Sequence, residues 1–264
     1  MSDALTYELD GSVALIGLNR PQKRNAIDDG LIEALRLAVA RAATEAKAGI
    51  VFGHGEHFSA GLDLAEHVVR TPIEGIHHSR MWHRVFDTIA RGAVPYVSAL
   101  HGAVVGGGME LAAATHIRVA DDSAFFALPE GQRGIFVGGG GSVHIARLVS
   151  AARMADMMLT GRVLSAADGE RCNFVQYLVP RGEALAKARE LAARIARNAP
   201  LSNFAVINAL PRIQDLSHDD GLFLEALMTA MTQTSPEAQE RLRQFLEKRA
   251  ERLAVPAPAK DGDA

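Results

Sequence analysis

A chain of 264 residues, 48% hydrophobic and 22% charged, has enough apolar material for one large domain or two small ones, in the ordinary balance of a globular protein. The net charge of −3 offers no electrostatic attraction for nucleic acid or anionic membrane, and a single cysteine, Cys172, excludes an internal disulfide framework and a Cys-rich zinc site. No stretch approaches the roughly 20 apolar residues of a membrane span. The start, Met1-Ser2-Asp3-Ala4-Leu5, has no basic region followed by an apolar run, so a cytoplasmic protein in a reducing compartment is expected.

The chain opens on a hairpin signal. Leu5 to Leu9 and Val13 to Leu18 flank Asp10-Gly11, a dipeptide that enters tight turns readily. From Asp28 to about Lys47 the spacing of Leu31, Leu35, Val39 and Ala42 predicts an amphipathic helix. A short apolar strand over 49–53 then feeds a loop that holds Phe58 to Asp63. A helix is predicted over 73–90 and a strand over 94–100. The glycine triplet Gly106-Gly107-Gly108 precedes a helix from Met109 to about Thr115. Strands over 117–120 and 123–127, helices over 142–148 and 152–159, and a strand over 174–179 complete an alternating β and α pattern.

Beyond about residue 180 the pattern is wholly helical: 183–197, 201–210, 221–233 and a run from Pro236 to Leu253. Ser235-Pro236 is a strong start signal, a hydroxyl cap followed by a proline where no N–H is needed. The end of the chain, Pro-rich and then polar, is expected to be disordered.

Several motif readings fail on spacing. The glycine triplet lacks G-x-G-x-x-G, and Gly138 to Gly141 is not followed by Lys-Ser or Lys-Thr. His77, His78 and His83 are close in sequence but form no H-E-x-x-H, and there is no G-x-S-x-G nucleophile elbow. An oxyanion reading survives. A glycine-rich turn entering a helix leaves N–H groups free at the positive end of the helix dipole, although it can equally serve packing alone. Glu110, in the first turn of that helix, and Glu130, after Pro129, would singly pass for a helix-end charge and a solvated carboxylate. Together, in glycine-rich surroundings, they suit acid–base chemistry. Met81, Trp82, Phe86, Phe125, Phe126 and Phe136 could line an apolar pocket or simply fill the core.

In order along the chain stand Asn19-Arg20-Pro21 with Asn25-Ala26, then Phe58-Ser59-Ala60-Gly61-Leu62-Asp63, then His101 to Ala112, and last Phe245 to Arg249. This combination resembles the crotonase superfamily, specifically its enoyl-CoA hydratase/isomerase group, over nearly the whole chain. The resemblance implies a crotonase-like α/β fold, a spiral of ββα repeats, over residues 1–197. A helical oligomerisation region over 198–254 would build trimers or dimers of trimers, and 255–264 would be a flexible tail. It implies reversible hydration of a 2-enoyl-CoA, with no metal or redox cofactor and with coenzyme A entering as part of the substrate. The N–H groups of Leu62 and Gly107 would hold the thioester oxygen, and Ala60 would lie against the adenine. Glu110 and Glu130 match both catalytic glutamates of the hydratases. Isomerases of the family often keep only the second, so the pair favours hydration. Lys23, Arg24 and, from a neighbouring copy, Lys248 are candidates for the coenzyme A phosphates. The alternatives are an isomerase, a hydroxyacyl-CoA lyase or a non-catalytic acyl-CoA-binding subunit.

Four positions depart from the family pattern. His116 replaces an acid, and Val137 replaces a proline. Ala65 stands where a lysine often meets a coenzyme A phosphate. Arg133 adds a cation three residues past Glu130, where it would lower that pKa if it reached the carboxylate.

Overall fold

The computed structural model describes residues 3–64, 70–247 and 249; Ala65, Lys248 and the tail expected over 255–264 lie outside the described residues. The chain divides into two units, 1–211 and 212–264.

In the larger unit, β1 (Leu5–Asp10) and β2 (Val13–Leu18) pair antiparallel from Leu5 opposite Leu18 to Asp10 opposite Val13. Next to β2, and parallel to it and to one another, lie β3 (Ala48–Gly53), β4 (Tyr96–Leu100), β6 (Ile117–Asp121) and β9 (Tyr177–Val179). Every residue of β2 is buried, because the sheet is covered on both faces. Ala14, Ile16, Leu18 and Val51 join the larger core. The alternate positions Val13, Leu15, Ile50, Val97 and Val119 join a second one, which is closed by Ala188, Leu191 and Ala192 of α7 (Ala184–Ala196). A smaller sheet holds β5 (Ala103–Val105), β7 (Phe125–Ala127) and β8 (Leu164–Ser165).

The first predicted helix is α1 (Asp29–Glu45). The Asp28 carboxylate caps it by accepting from the Leu31 N–H at 2.7 Å, and Leu31, Leu35, Val39 and Ala42 face the core as expected. The next, α2 (Pro72–Arg91), starts with a reciprocal capping box between Thr71 and Glu74. Then come α3 (Gly107–Ala114), α4 (Gly141–Val149), α5 (Ala151–Thr160), α6 (Ala166–Arg171) and α8 (Pro200–Ile213).

The smaller unit holds α9 (His218–Gln233) and α10 (Pro236–Leu246), which start at Ser217 and Ser235 caps. The run expected to Leu253 stops at Leu246 within the described residues, with the Glu247 N–H closing on Arg243 O.

The structure differs from the sequence reading in small elements. Helix α3 begins at Gly107, two residues before the expected Met109. The strand expected over 174–179 is confined to β9, because the N–H groups of Phe174 and Val175 both turn back to Gly169 O. Strand β7 starts only at Phe125, since Ser123 N–H bonds the Asp121 carboxylate and Ala124 N–H bonds Asp121 O in the preceding turn. Strands β5 and β8 and helix α6 were not expected.

Candidate active site

The site is built at the carboxyl ends of β3 and β4. The chain leaving β3 returns as a strap over 58–63 whose backbone is tied on both sides. Ser59 N–H donates to Ala103 O, Ala60 N–H to Arg24 O and Asp63 N–H to Ile27 O, each at 2.9 Å, while Ile27 N–H donates to Gly61 O at 2.7 Å. Gly61 N–H goes to the Ser59 hydroxyl at 3.1 Å. Leu62 N–H is left with no acceptor among the described residues. Gly61 sits at φ +86°, and a Cβ there would lie 2.6 Å from Val105 O, so only glycine fits.

The second donor comes from the turn after β5. Gly106, at φ +53° and ψ −122°, is the N-cap of α3. Its own N–H reaches Ala127 O, and its carbonyl accepts from the Glu110 N–H at 3.0 Å. Gly107 is thereby the first residue of the helix, where an N–H has no intrahelical partner, and it too has no acceptor among the described residues. A Cβ on Gly61 would sit 3.0 Å from Gly107 N, and one on Gly107 would sit 3.6 Å from Leu62 N. The two free N–H groups are therefore close neighbours.

One turn into α3, Glu110 is buried, with 3% of its surface exposed. Its Oε1 accepts two hydrogen bonds of 2.8 Å, from Gly139 N–H and Gly141 N–H, which is what the glycine run 138–141 supplies. Burial still raises its pKa, with the amide donors of Gly141, Gly139 and Gly138 pulling the other way. Glu130, expected in a solvated loop, is also buried, with 7% exposed, at the start of a single 3₁₀ turn over Gly131–Arg133. Its Oε2 is enclosed without a hydrogen-bond partner. Burial is the main cause of its raised pKa. The negative charge of Glu110 adds to it, against a hydrogen bond with its own backbone and the Arg133 charge, the smallest of the four effects. The added cation thus does not hold Glu130 ionised.

Ala60, Leu62, Gly107, Glu110 and Glu130 all line one cavity of about 300 Å³. Arg133, Ile135, Phe136 and Val137 line it from beyond Glu130, and Gly75, His78, Ser79 and Trp82 from one face of α2. Of the aromatic candidates, Trp82 and Phe136 reach this wall. Phe86 and Phe126 are wholly enclosed in the core, Met81 packs against it, and Phe125 lies outside the wall. Lys23 and Arg24 are not on the wall either. Lys23 Nζ lies 2.9 Å from the Asp63 carboxylate, and Arg24 is exposed at φ +52°. Sequence reasoning gave no role to His78, Ser79 or Asp63. The α2 residues fall at i, i+3, i+4 and i+7 from Gly75, a periodicity that marks a shared face. Among the described residues no three His, Cys, Asp or Glu side chains gather as metal ligands, and no helix is long and apolar enough to cross a membrane.

Two amide donors beside two enclosed carboxyls can polarise a carbonyl and move protons next to it. Comparison with known proteins gives this geometry a family: a family model described as enoyl-CoA hydratase/isomerase matches residues 8–253. The chain belongs to the enoyl-CoA hydratase/isomerase family. A crystal structure of a protein of this group from Rhodopseudomonas palustris is 54% identical and superposes with a TM-score of 0.91 over 93% of this chain and 95% of that one. Enoyl-CoA hydratase EchA19 of Mycobacterium tuberculosis is 29% identical, covering 94% of this chain and 95% of its own. The 2,3-dehydroadipyl-CoA hydratase of Escherichia coli is 30% identical, covering 90% and 93%. The mixed α/β architecture is therefore the crotonase fold, and the chain is an enzyme of the crotonase superfamily.

Proposed function

We propose that this family member adds water reversibly across the double bond of a 2-enoyl-CoA to give a 3-hydroxyacyl-CoA. The observation that carries the reading is the convergence on one cavity of two buried carboxyls with two N–H groups, at Leu62 and Gly107, that have no acceptor among the described residues. A thioester oxygen between the two donors would gain stabilisation as negative charge grows on it. Losing one such donor costs roughly 10²–10³ in rate.

The carboxyls divide the proton work by their surroundings. Glu110, whose Oε1 is held by two N–H groups that favour its charged form, takes the proton of the attacking water as its oxygen bonds the β-carbon. Glu130, whose pKa is raised by burial and by the neighbouring charge, gives its proton to the α-carbon. The sum is one water added, and solvent resets the two carboxyls after release. Ala60 would lie against the adenine, with Arg24 and Lys248 as candidates for the phosphates. No metal or redox group takes part in this scheme. A homotrimer or dimer of trimers in the cytoplasm is the setting it suits.

The test is turnover of short, long and aryl 2-enoyl-CoAs, read by mass spectrometry. Gain of one water supports hydration. Unchanged mass with a moved double bond would assign an isomerase, release of an aldehyde from a 3-hydroxyacyl-CoA a lyase, and binding without turnover a carrier subunit. Glu110→Gln and Glu130→Gln are each expected to lower kcat by roughly 10²–10⁴ with acyl-CoA affinity little changed. Near-normal hydration by the Glu110 variant would overturn the division of roles.

A further inference from the structure

We infer that the carboxylate of Asp63, gripped by Arg20 and Lys23, is the positioning group for the Leu62 N–H, and that Lys23 belongs to this clamp rather than to a coenzyme A phosphate site. The inference rests on the thioester reading of the cavity. Asp63 directly follows the donor residue and is 5% exposed. Its Oδ2 lies 2.9 Å from both Arg20 Nη2 and Lys23 Nζ. Arg20, itself 9% exposed, also reaches Asp28 Oδ2 and Ala26 O through Nη1, both at 2.7 Å. The same short segment gives the strap its backbone partners, Arg24 O and Ile27 O, and Asn25 holds the Arg20 N–H through Oδ1 at 2.8 Å.

The charges and the ladder therefore act on one peptide from two directions. The ladder fixes the residues on either side of Leu62, and the Asp63 ion pairs fix how far the strap can rotate about them. The amide between Gly61 and Leu62 is held at its carbonyl by the Ile27 N–H at 2.7 Å, while its N–H, on a residue of the cavity wall, has no acceptor among the described residues. Such a donor stabilises an oxyanion only if the peptide that carries it is rigid, because hydrogen-bond strength falls steeply with angle. A lysine recruited for a phosphate would be expected to stand in solvent; this one spends its ammonium on a buried carboxylate.

Asp63→Asn and Lys23→Gln test the assignment against wild type. Four quantities are read: kcat, KM, affinity for a saturated acyl-CoA by calorimetry, and the infrared stretch of its ¹³C-labelled thioester carbonyl when bound. Asp63→Asn is expected to lower kcat by roughly tenfold to a hundredfold, short of full loss of a donor. Its carbonyl stretch should return towards the free value while affinity stays within about threefold. Lys23 is half exposed, so its variant should fold even if the Asp63 variant does not. It should show the same pattern at roughly twofold to fivefold. Weaker acyl-CoA binding and raised KM with kcat and carbonyl stretch unchanged would make Lys23 a phosphate ligand and overturn the clamp. Variants that melt earlier yet keep the wild-type stretch and kcat per folded molecule would overturn it too. A wild type that shows no carbonyl shift would remove the thioester reading itself, and the clamp with it, before any variant is compared.

Discussion

At the scale of single residues, the tightest constraint is at Gly107. Alanine there keeps the N–H but places a methyl 2.8 Å from Cζ3 of Trp82, a ring that is 4% exposed and edge-on to Phe86. Gly107→Ala is therefore expected to lose activity by displacing the ring that walls the cavity, and Gly107→Ala with Trp82→Phe should recover part of the loss. Strictly additive effects in the double-mutant cycle would show that the methyl acts elsewhere. Glu130 gives the pH dependence. As an acid whose pKa is raised, it holds its proton at low pH, and hydration should fall as pH rises through that pKa. Glu110→Gln removes the neighbouring charge that raises it, so the falling limb of the residual activity should move to lower pH. A limb that stays in place would separate the two carboxyls electrically. Little of this was legible in the sequence. The family resemblance put forward Leu62, Gly107, Glu110 and Glu130. The burial of Glu130 was not readable from a Pro-Glu-Gly stretch, nor was the pairing of Lys23 with Asp63 across forty positions of chain, since both arise only from tertiary packing.

At the scale of elements, what reads well is what repeats. Helix α1 carried four apolar positions and a capping aspartate, and its ends fell within two residues of expectation. Strands β5 and β8, three and two residues long, are too short to alternate, and α3 hid its first turn behind glycines that propensity scores against. His116 shows how a departure from the family pattern is absorbed. Its Nδ1 accepts from the Tyr96 N–H at 2.9 Å, and Nε2, carrying the proton, lies 3.2 Å from Ala90 O, which ties the start of β4 to the end of α2. Burial lowers its pKa from 6.5 to about 4. The neutral ring thus contributes stability that is complete above pH 6.5 and is lost as pH falls through about 4, where the folded ring must also charge. His116→Ala should destabilise by about 1–3 kcal/mol, the cost of stranding buried backbone groups, and should flatten that acid limb. Denaturant unfolding at pH 7 and pH 5 measures both. An unchanged limb would mean another group sets it.

At the scale of the molecule, the smaller unit carries apolar surface that its own helices do not cover. Leu222, Phe223, Leu227 and Met231 of α9, and Leu242, Phe245 and Leu246 of α10, are all exposed, the two phenylalanines by 67% and 68%. Such a density of exposed apolar side chains on one short segment suits an interface. Light scattering should give a trimer or hexamer, and Phe223→Glu with Leu227→Glu should shift it to smaller species. A wild-type monomer with full activity at assay concentration would contradict this.

The two N–H bonds that hold Glu110 join parts of the chain that are distant in sequence. The strap and the turn at Gly106 are joined by the Ser59–Val104 bridge, so both amide donors can be in place once the first half of the chain has collapsed. Glu110 arrives with them, but its hydrogen-bond donors at Gly139 and Gly141 come some thirty residues later. Without those glycines, α3 could be enclosed only around an unsatisfied charge or a neutral acid. The docking of the glycine run therefore offsets part of the cost of burying Glu110 and draws its pKa back towards, but not down to, the ordinary carboxylate value.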